Sequence, residues 1–539
     1  MIARACLFAL LLVAPFEPRF TVALGAFRVS LVEAVALVCF VALAVVWARR
    51  GGSLRLSPAL LALGLFVCVS LVSASLAAVD PGRSLKFALR LGAMAGFAWL
   101  VSRLEVKETT WGFRALLISG SVAAALALAE GLGVRALDEF LGVFRETPFN
   151  VAGLRRATGG SEYPNLGAGM MVYALLAGVV LLRSRPMLRS ALVVLMAGGL
   201  AFTYSRGAWA AGFVGLLALA AFERRREGVR RTLVPLALYL AVLGSFVASD
   251  EISRIRFGGE SASDFYRATY ETPRQLALDP GARVPVRVKV TNIGRRPWGK
   301  EEAIHLSYHL YEDAGRPLVD GPRTLLPRDV RPGEAVTLEA TLLAPTRAGE
   351  YLLLWDLVHE HTTWFSGQGV KPGVARLIVG QVTGIVGPAE PSEAHALTAI
   401  AETIAWRPSR LELWGIAARM WAAYPFFGAG PDNFRWTHGT LAGKAAFDTR
   451  VFANNTFLEF AATLGTFGLS AFTAVLGFAL LAGSRSAPRA DGALIAFAIL
   501  AAITTHGLAD YVLAFTGHYL VFGFAVGVLA RSPSGTRIA

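Results

Sequence analysis

The chain has 539 residues, of which 55% are hydrophobic and only 17% charged, and its mean hydropathy is +0.52. That balance excludes a disordered chain and an ordinary soluble enzyme of this length. The formal net charge of +14 suits either nucleic acid or membrane topology, and the placement of the basic residues decides between them.

A helix that crosses a bilayer needs about 20 mostly apolar residues. Twelve such runs are predicted, near 5–26, 29–47, 57–78, 84–102, 112–131, 165–182, 188–205, 207–222, 232–248, 456–482, 491–509 and 511–530. Pro15, Glu17, Pro18 and Arg19 interrupt the first, which reads as two half-helices or a re-entrant segment. Cys6, Cys39 and Cys68 all lie in apolar runs, so neither a disulfide framework nor a zinc site is expected.

With the N-terminus inside, every even-numbered connection carries a basic cluster, from Arg49, Arg50 and Arg55 to Arg224, Arg225, Arg226, Arg230 and Arg231. These inner segments account for the whole net charge of +14. Lys and Arg concentrated in cytoplasmic loops is the common membrane pattern. Both termini are therefore expected in the cytoplasm, and 79–83, 132–164, 205–207, 249–408, 409–455 and the turn near Asp510 outside it. Nucleic acid is not an expected partner, because the basic residues are divided among short loops.

Residues 275–382 change period. Val284, Val286, Val288 and Val290 alternate with Arg287 and Lys289, as in a half-buried strand. Further strands are predicted at 304–311, 336–343, 351–358 and 374–379, separated by Gly, Pro, Asn and Asp turns. An antiparallel, immunoglobulin-like β-sandwich follows, with Trp298, Trp355 and Trp364 as core or rim aromatics. His359 and His361 flank Glu360, but strand alternation explains them better than a metal site. The predicted plan is a transmembrane bundle over 1–250, the insert at 275–382, an extracytoplasmic helical loop at 405–455 and C-terminal transmembrane helices over 456–531.

Polar motifs punctuate the predicted outer face. Thr203, Tyr204, Ser205, Arg206 and Gly207 form a tight turn, and a guanidinium there suits bidentate phosphate binding. Arg155 and Arg156 precede Glu162, Tyr163, Pro164 and Asn165, a loop leading to a helix start. Arg410, Leu413, Trp414, Ala417 and Trp421 repeat at helical spacing, as in an amphipathic surface helix with Arg410 and Glu412 near its start. It runs to Tyr424-Pro-Phe-Phe-Gly-Ala-Gly430, and that turn leads to Asp432, Asn433 and Arg435. Asn454, Asn455 and Glu459 enter the tenth run, with Asn455 and Glu459 on one helix face and an asparagine available as cap. His506 and Asp510 close the series.

Together these motifs resemble the O-antigen ligase/polymerase superfamily of bacterial glycan transferases. TYSRGAWAAGF at 203–213 is similar to its Ser-Arg-Gly signature, and RLELWGIAARMWAAYPFFGAG at 410–430 to its Arg…Trp…Pro-x-x-Gly-x-Gly pattern. EYPNLGAG and HGLADY are similar to weaker family positions. The resemblance implies a GT-C-like polytopic α-helical membrane protein of about twelve helices in the bacterial inner membrane. It implies metal-independent, inverting transfer of a glycan from an undecaprenyl-diphosphate carrier to a glycan, lipid or protein hydroxyl, without a cofactor. Arg206 and Arg410, with Arg156, would hold the diphosphate. The family usually has His-Asn where this chain has Asn454-Asn455, and neutral asparagine does not accept a proton as histidine does. The resemblance therefore places Asn454 at the catalytic position and leaves the base among Glu459, Glu412, Asp510, His438 and His506, with Asn455, His506 and Ser205 orienting the acceptor. The other reading is that Asn454 only orients the acceptor and the diphosphate leaves with little base assistance. A transporter of lipid-linked sugars and a non-catalytic glycan receptor are the alternatives.

Overall fold

The computed structural model describes residues 1–539 except 25–26, 52–55, 78, 146–148, 152–153, 228, 251–264, 300–303, 313–315, 361–362, 381–405, 407, 445–446 and 532–539. It consists of a helical bundle with a separate β region. The helices before the β region are α1 (Ile2–Val13), α2 (Leu31–Arg49), α3 (Pro58–Ser75), α4 (Pro81–Ser102), α5 (Val106–Gly131), the one-turn α6 (Asp138–Leu141), α7 (Pro164–Leu181), α8 (Pro186–Thr203), α9 (Arg206–Glu227) and α10 (Val229–Ser249). After it come α11 (Arg410–Ala423), α12 (Phe434–Leu441), α13 (Thr456–Ser486), α14 (Asp491–Gly507) and α15 (Thr516–Leu529).

Among the described residues, eight helices are long and apolar enough to cross a membrane: α2, α3, α4, α5, α7, α8, α9 and α13. This is the build of a multi-pass membrane protein. The other four predicted runs form shorter apolar helices, Ile2–Val13, Leu233–Ser249, Asp491–Gly507 and Thr516–Leu529. The first run is corrected most. Helix α1 ends at Val13, since Pro15 and Pro18 cannot donate to a helical ladder, and the chain then forms a hairpin of β1 (Thr21–Leu24) and β2 (Phe27–Ser30).

The helix starts are written in the sequence. Pro58, Pro81, Pro164 and Pro186 each occupy a first helical turn, where a missing N–H costs nothing. Ser30 with Glu33, and Ser409 with Glu412, form reciprocal capping boxes on α2 and α11. Helix α7 is enclosed by α5, α8, α9 and α14, whereas α2 lies on the periphery.

Helix α13 is interrupted at Gly465, which has φ 66° and ψ −167°. The loop at 425–430 satisfies the freed backbone groups. Ala429 N donates to Ala462 O and Gly430 N to Thr463 O, both at 3.0 Å, while Thr466 N donates to Pro425 O at 2.8 Å. Ser73 Oγ, from α3, also reaches Thr463 O at 3.0 Å. Backbone left unpaired in an apolar bundle costs several kcal/mol, so a break there requires such partners. The Gly-x-Gly turn of the sequence thus patches a broken helix.

The β region runs from Ala268 to Val379 and contains β5 (Ala268–Glu271), β6 (Gln275–Leu278), β7 (Arg283–Asn292), β8 (Ile304–Glu312), β9 (Arg316–Asp320), β10 (Thr324–Leu325), β11 (Ala335–Leu343), β12 (Gly349–His359), β13 (Thr363–Trp364) and β14 (Gly373–Val379). One sheet is ordered β10-β8-β12-β14-β6 and the other β11-β7-β5. Their inner faces share one core, in which Val288 and Leu338 meet Leu306, Leu353 and Trp355. β6 joins β14 in parallel, which alternation alone does not reveal. Trp298 and Trp355 are fully buried, while Trp364 lies half-buried against His309. His359 Nδ1 lies 3.0 Å from the Tyr266 hydroxyl, and Glu360 accepts from Arg323 at 2.7 Å. His361 lies outside the described residues. No cluster of three metal-ligating side chains occurs among the described residues.

Candidate active site

Several sequence motifs converge at one end of the bundle. Arg156 Nε donates to Thr203 O and its terminal nitrogen to Asn165 Oδ1, both at 2.8 Å. The Asn165 amide in turn hydrogen-bonds Asp510 Oδ2. Asp510 Oδ1 accepts from Tyr511 N at 2.8 Å, so both carboxylate oxygens are occupied. Thr456 Oγ1 donates to Asp510 O at 3.0 Å. Asn455 caps α13, accepting from Phe457 N and Leu458 N at 3.0 and 3.1 Å, and donates to Leu508 O at 3.0 Å. Ser205 is buried in the turn between α8 and α9, and Arg206 is exposed beside it. A Cβ on Gly207 would sit 3.2 Å from the His506 ring, and the charge of exposed Arg410 also reaches that imidazole.

The structure separates other candidates from this group. His438 is walled in by Trp406, Phe434 and Phe447, with ring centroids 5.6, 5.6 and 4.9 Å away. Burial pushes its imidazole below the ordinary histidine value. The Glu412 carboxylate accepts from Ser409 N at 2.7 Å and serves as a cap. Arg155 pairs with Glu130 and Asp138, remote from any anion role. Glu459 is 1% exposed; its Oε2 accepts from Ala453 N at 2.8 Å, and its Oε1 has no partner. Among the described residues, three non-glycine residues adopt left-handed backbone, Tyr204, Asp432 and Asn454, and each falls in a motif loop. Such conformations concentrate at functional sites.

A cavity of about 450 Å³ opens at the same end of the bundle, within the size range of small-ligand pockets. Its wall is assembled from the 17–21 segment, the start of α2, the first turns of α4, the loop before α7, the loop around α12, the approach to α13 and the start of α15. Five cationic side chains line it: Arg19, Lys86, Arg90, Arg435 and Arg450. Asp432 holds Arg435 through two hydrogen bonds of 2.8 and 2.7 Å, and Glu33 pairs with Arg90 at 2.6 Å. Phe452 lies under the Arg435 guanidinium at 5.5 Å. Glu17 accepts from Thr516 Oγ1 at 3.0 Å. Burial raises the Glu17 carboxyl above its usual range, hydroxyl hydrogen bonds from Ser30 and Thr516 oppose that, and the neighbouring Glu33 charge adds to it.

None of the sequence-selected residues Arg156, Ser205, Arg206, Arg410, His438, Asn454, Asn455, Glu459, His506 and Asp510 lines this cavity. The two regions adjoin, however: Tyr163 lines the cavity two residues before Asn165, and Glu459 feels the charges of Asp432 and Arg435. Sequence reasoning passed over Glu17 and Arg19 although they interrupt the first apolar run, and Lys86 and Arg90 although they stand four apart at the start of the fourth. A second groove of about 600 Å³ runs along α11, lined by Glu412, Arg419 and Lys444.

Chemically, clustered guanidinium and ammonium groups in a partly dry wall are suited to an anion, and a carboxyl of raised pKa among them is suited to accept a proton. In comparisons with known proteins, no protein family and no curated protein matches this chain.

Proposed function

We propose that this protein is an integral-membrane glycosyltransferase of the bacterial inner membrane. It moves a glycan from an undecaprenyl-diphosphate carrier to an acceptor hydroxyl during cell-surface polysaccharide assembly. The observation that carries this reading is a cavity at one end of a bundle of apolar helices whose wall holds five cationic side chains beside four acids, Glu17, Glu33, Glu162 and Asp432. A lipid-anchored diphosphate needs both parts: apolar helices beside its chain and fixed positive charge at its head. The basic loops at the opposite end favour an outward-facing cavity by the positive-inside rule.

In this reading the acceptor oxygen displaces the diphosphate at the anomeric carbon with inversion. The charge that develops on the leaving oxygen is met by Arg19, Lys86, Arg435 and Arg450, in a site where such charge is most effective. Exposed Arg206 and Arg410 supply further anion contacts near His506, and Arg156 positions Asn165 and Asp510. The β region is an extracytoplasmic accessory module.

The test is loss of surface polysaccharide on deletion, together with binding of undecaprenyl diphosphate by the purified protein. Unchanged polysaccharide in the deletion strain would sink the proposal. The interruption of α13 at Gly465 favours one alternative, a transporter of lipid-linked sugars, since broken helices recur in transporters. Movement of lipid-linked sugar across vesicles without a new glycosidic bond would select that reading.

A further inference from the structure

We propose that Glu17 is the base that takes the proton of the acceptor hydroxyl, an assignment that rests on the transfer reaction proposed above. Asparagine at 454 and 455 cannot accept a proton in the way a base must. Four other acids near the site are already committed, and Glu162, which also lines the cavity, is the rival that the test below separates from Glu17. Asp432 is bound at both oxygens by Arg435, and Glu33 is paired with Arg90 while capping Ser30 N. Asp510 accepts at both oxygens, and Glu459 is buried behind the wall without lining the cavity.

Glu17 differs from these four. It lines the cavity, and a hydroxyl rather than a guanidinium holds its carboxylate, Thr516 Oγ1 at 3.0 Å. A hydroxyl partner orients a carboxylate without removing its capacity for a proton. Pro15 and Pro18 bracket it, so a short stiff segment carries it.

The step balances. The proton of the acceptor O–H passes to a Glu17 oxygen, and the freed oxygen pair forms the bond to the anomeric carbon. The bond from that carbon to the carrier phosphate breaks, and its electron pair leaves with the diphosphate. Glu17 then releases its proton to water.

The charged and titratable groups facing Glu17 are Glu33 from α2, Arg90 from α4, Glu162 from the loop before α7 and Tyr519 from α15, with Arg19, Lys86, Asp432, Arg435 and Arg450 around the same cavity. Burial and the adjacent acids raise its pKa, and a base near neutrality is the more effective one. Activity should then fall as pH drops through the raised value.

The experiment uses the full chain in nanodiscs, with undecaprenyl diphosphate as the binding probe. Producing-strain membranes assay polysaccharide assembly between about pH 5 and 9, a range that spans the useful values for a catalytic carboxylate. E17Q should bind the probe within about twofold of wild type, while assembly falls at least about 100-fold, the low end for loss of a general base. E17D should retain partial activity with a displaced acid limb, and it decides the matter if E17Q does not fold. E17Q assembling at the wild-type rate with an unchanged acid limb would overturn the assignment, as would loss of that limb in E162Q but not in E17Q. Wild-type protein that neither binds the probe nor supports assembly would remove the transfer reading itself.

Discussion

Gly465 lies against Phe426 so closely that a Cβ would fall 2.4 Å from the Phe426 carbonyl carbon and oxygen. The same glycine has φ 66°, so its side-chain hydrogen serves two purposes, a left-handed turn and a backbone-to-backbone contact. The break in α13 and the 425–430 loop are therefore a single feature.

G465A should destabilise the protein by about 3 kcal/mol, combining left-handed strain of roughly 1–2 kcal/mol with overpacking of a similar size. Thermal unfolding of the detergent-solubilised chain measures it. Gly477, on the same helix with open space around its Cβ position, provides the contrast. G477A should cost nothing, since alanine is the better helix former.

Arg435 should be a principal anion contact because Asp432 fixes its plane and Phe452 supports its face. A hydrogen bond to a charged group contributes about 1.5–3 kcal/mol. R435A should therefore weaken undecaprenyl diphosphate binding roughly 10- to 100-fold. Titration in nanodiscs at two salt concentrations reads it, and wild-type binding should weaken with salt more than that of the variant.

Glu130 and Arg145 form a buried ion pair, with Arg155 and Thr158 N completing the carboxylate's partners. E130A would leave the Arg145 charge buried without its main partner, which costs about 3–5 kcal/mol. A lowered unfolding temperature is expected, and E130Q should recover part of it.

The β region should lose stability as pH rises. Burial opposes the His309 imidazolium, but the carboxylates of Asp356 and Asp320 outweigh it, so its pKa is raised when folded. The folded state binds that proton more tightly than the unfolded chain. Its stabilisation is complete below the ordinary histidine value and disappears as pH climbs through the raised one. Hydrogen exchange at β12 should accelerate beyond the usual base dependence across that window, and H309Q should abolish the excess.

Asn455 should behave as a cap. N455A is expected to cost about 1 kcal/mol, the usual value for losing an N-cap side chain. N455D should recover most of that at the helix N-terminus while losing the bond to Leu508 O. Unfolding midpoints of the two variants, compared side by side, separate these contributions.

The sequence by itself determined the elements whose pattern is local. Apolar runs bounded by Pro58, Pro81, Pro164 and Pro186 became helices, and the Val284–Val290 alternation became β7. The motif neighbours Arg156, Asn165, Asn455 and Asp510 were legible as polar residues at helix ends, although their mutual hydrogen bonds were not. Tertiary structure alone decided the cavity, because Arg19, the Lys86–Arg90 pair of α4, Arg435 and Arg450 come from separate segments that no sequence period relates. It also decided the break in α13. A single glycine inside an apolar run looks like any other until the Phe426 backbone lies against it. Periodicity records which face of an element avoids water, whereas a site is made where the ends of many elements meet.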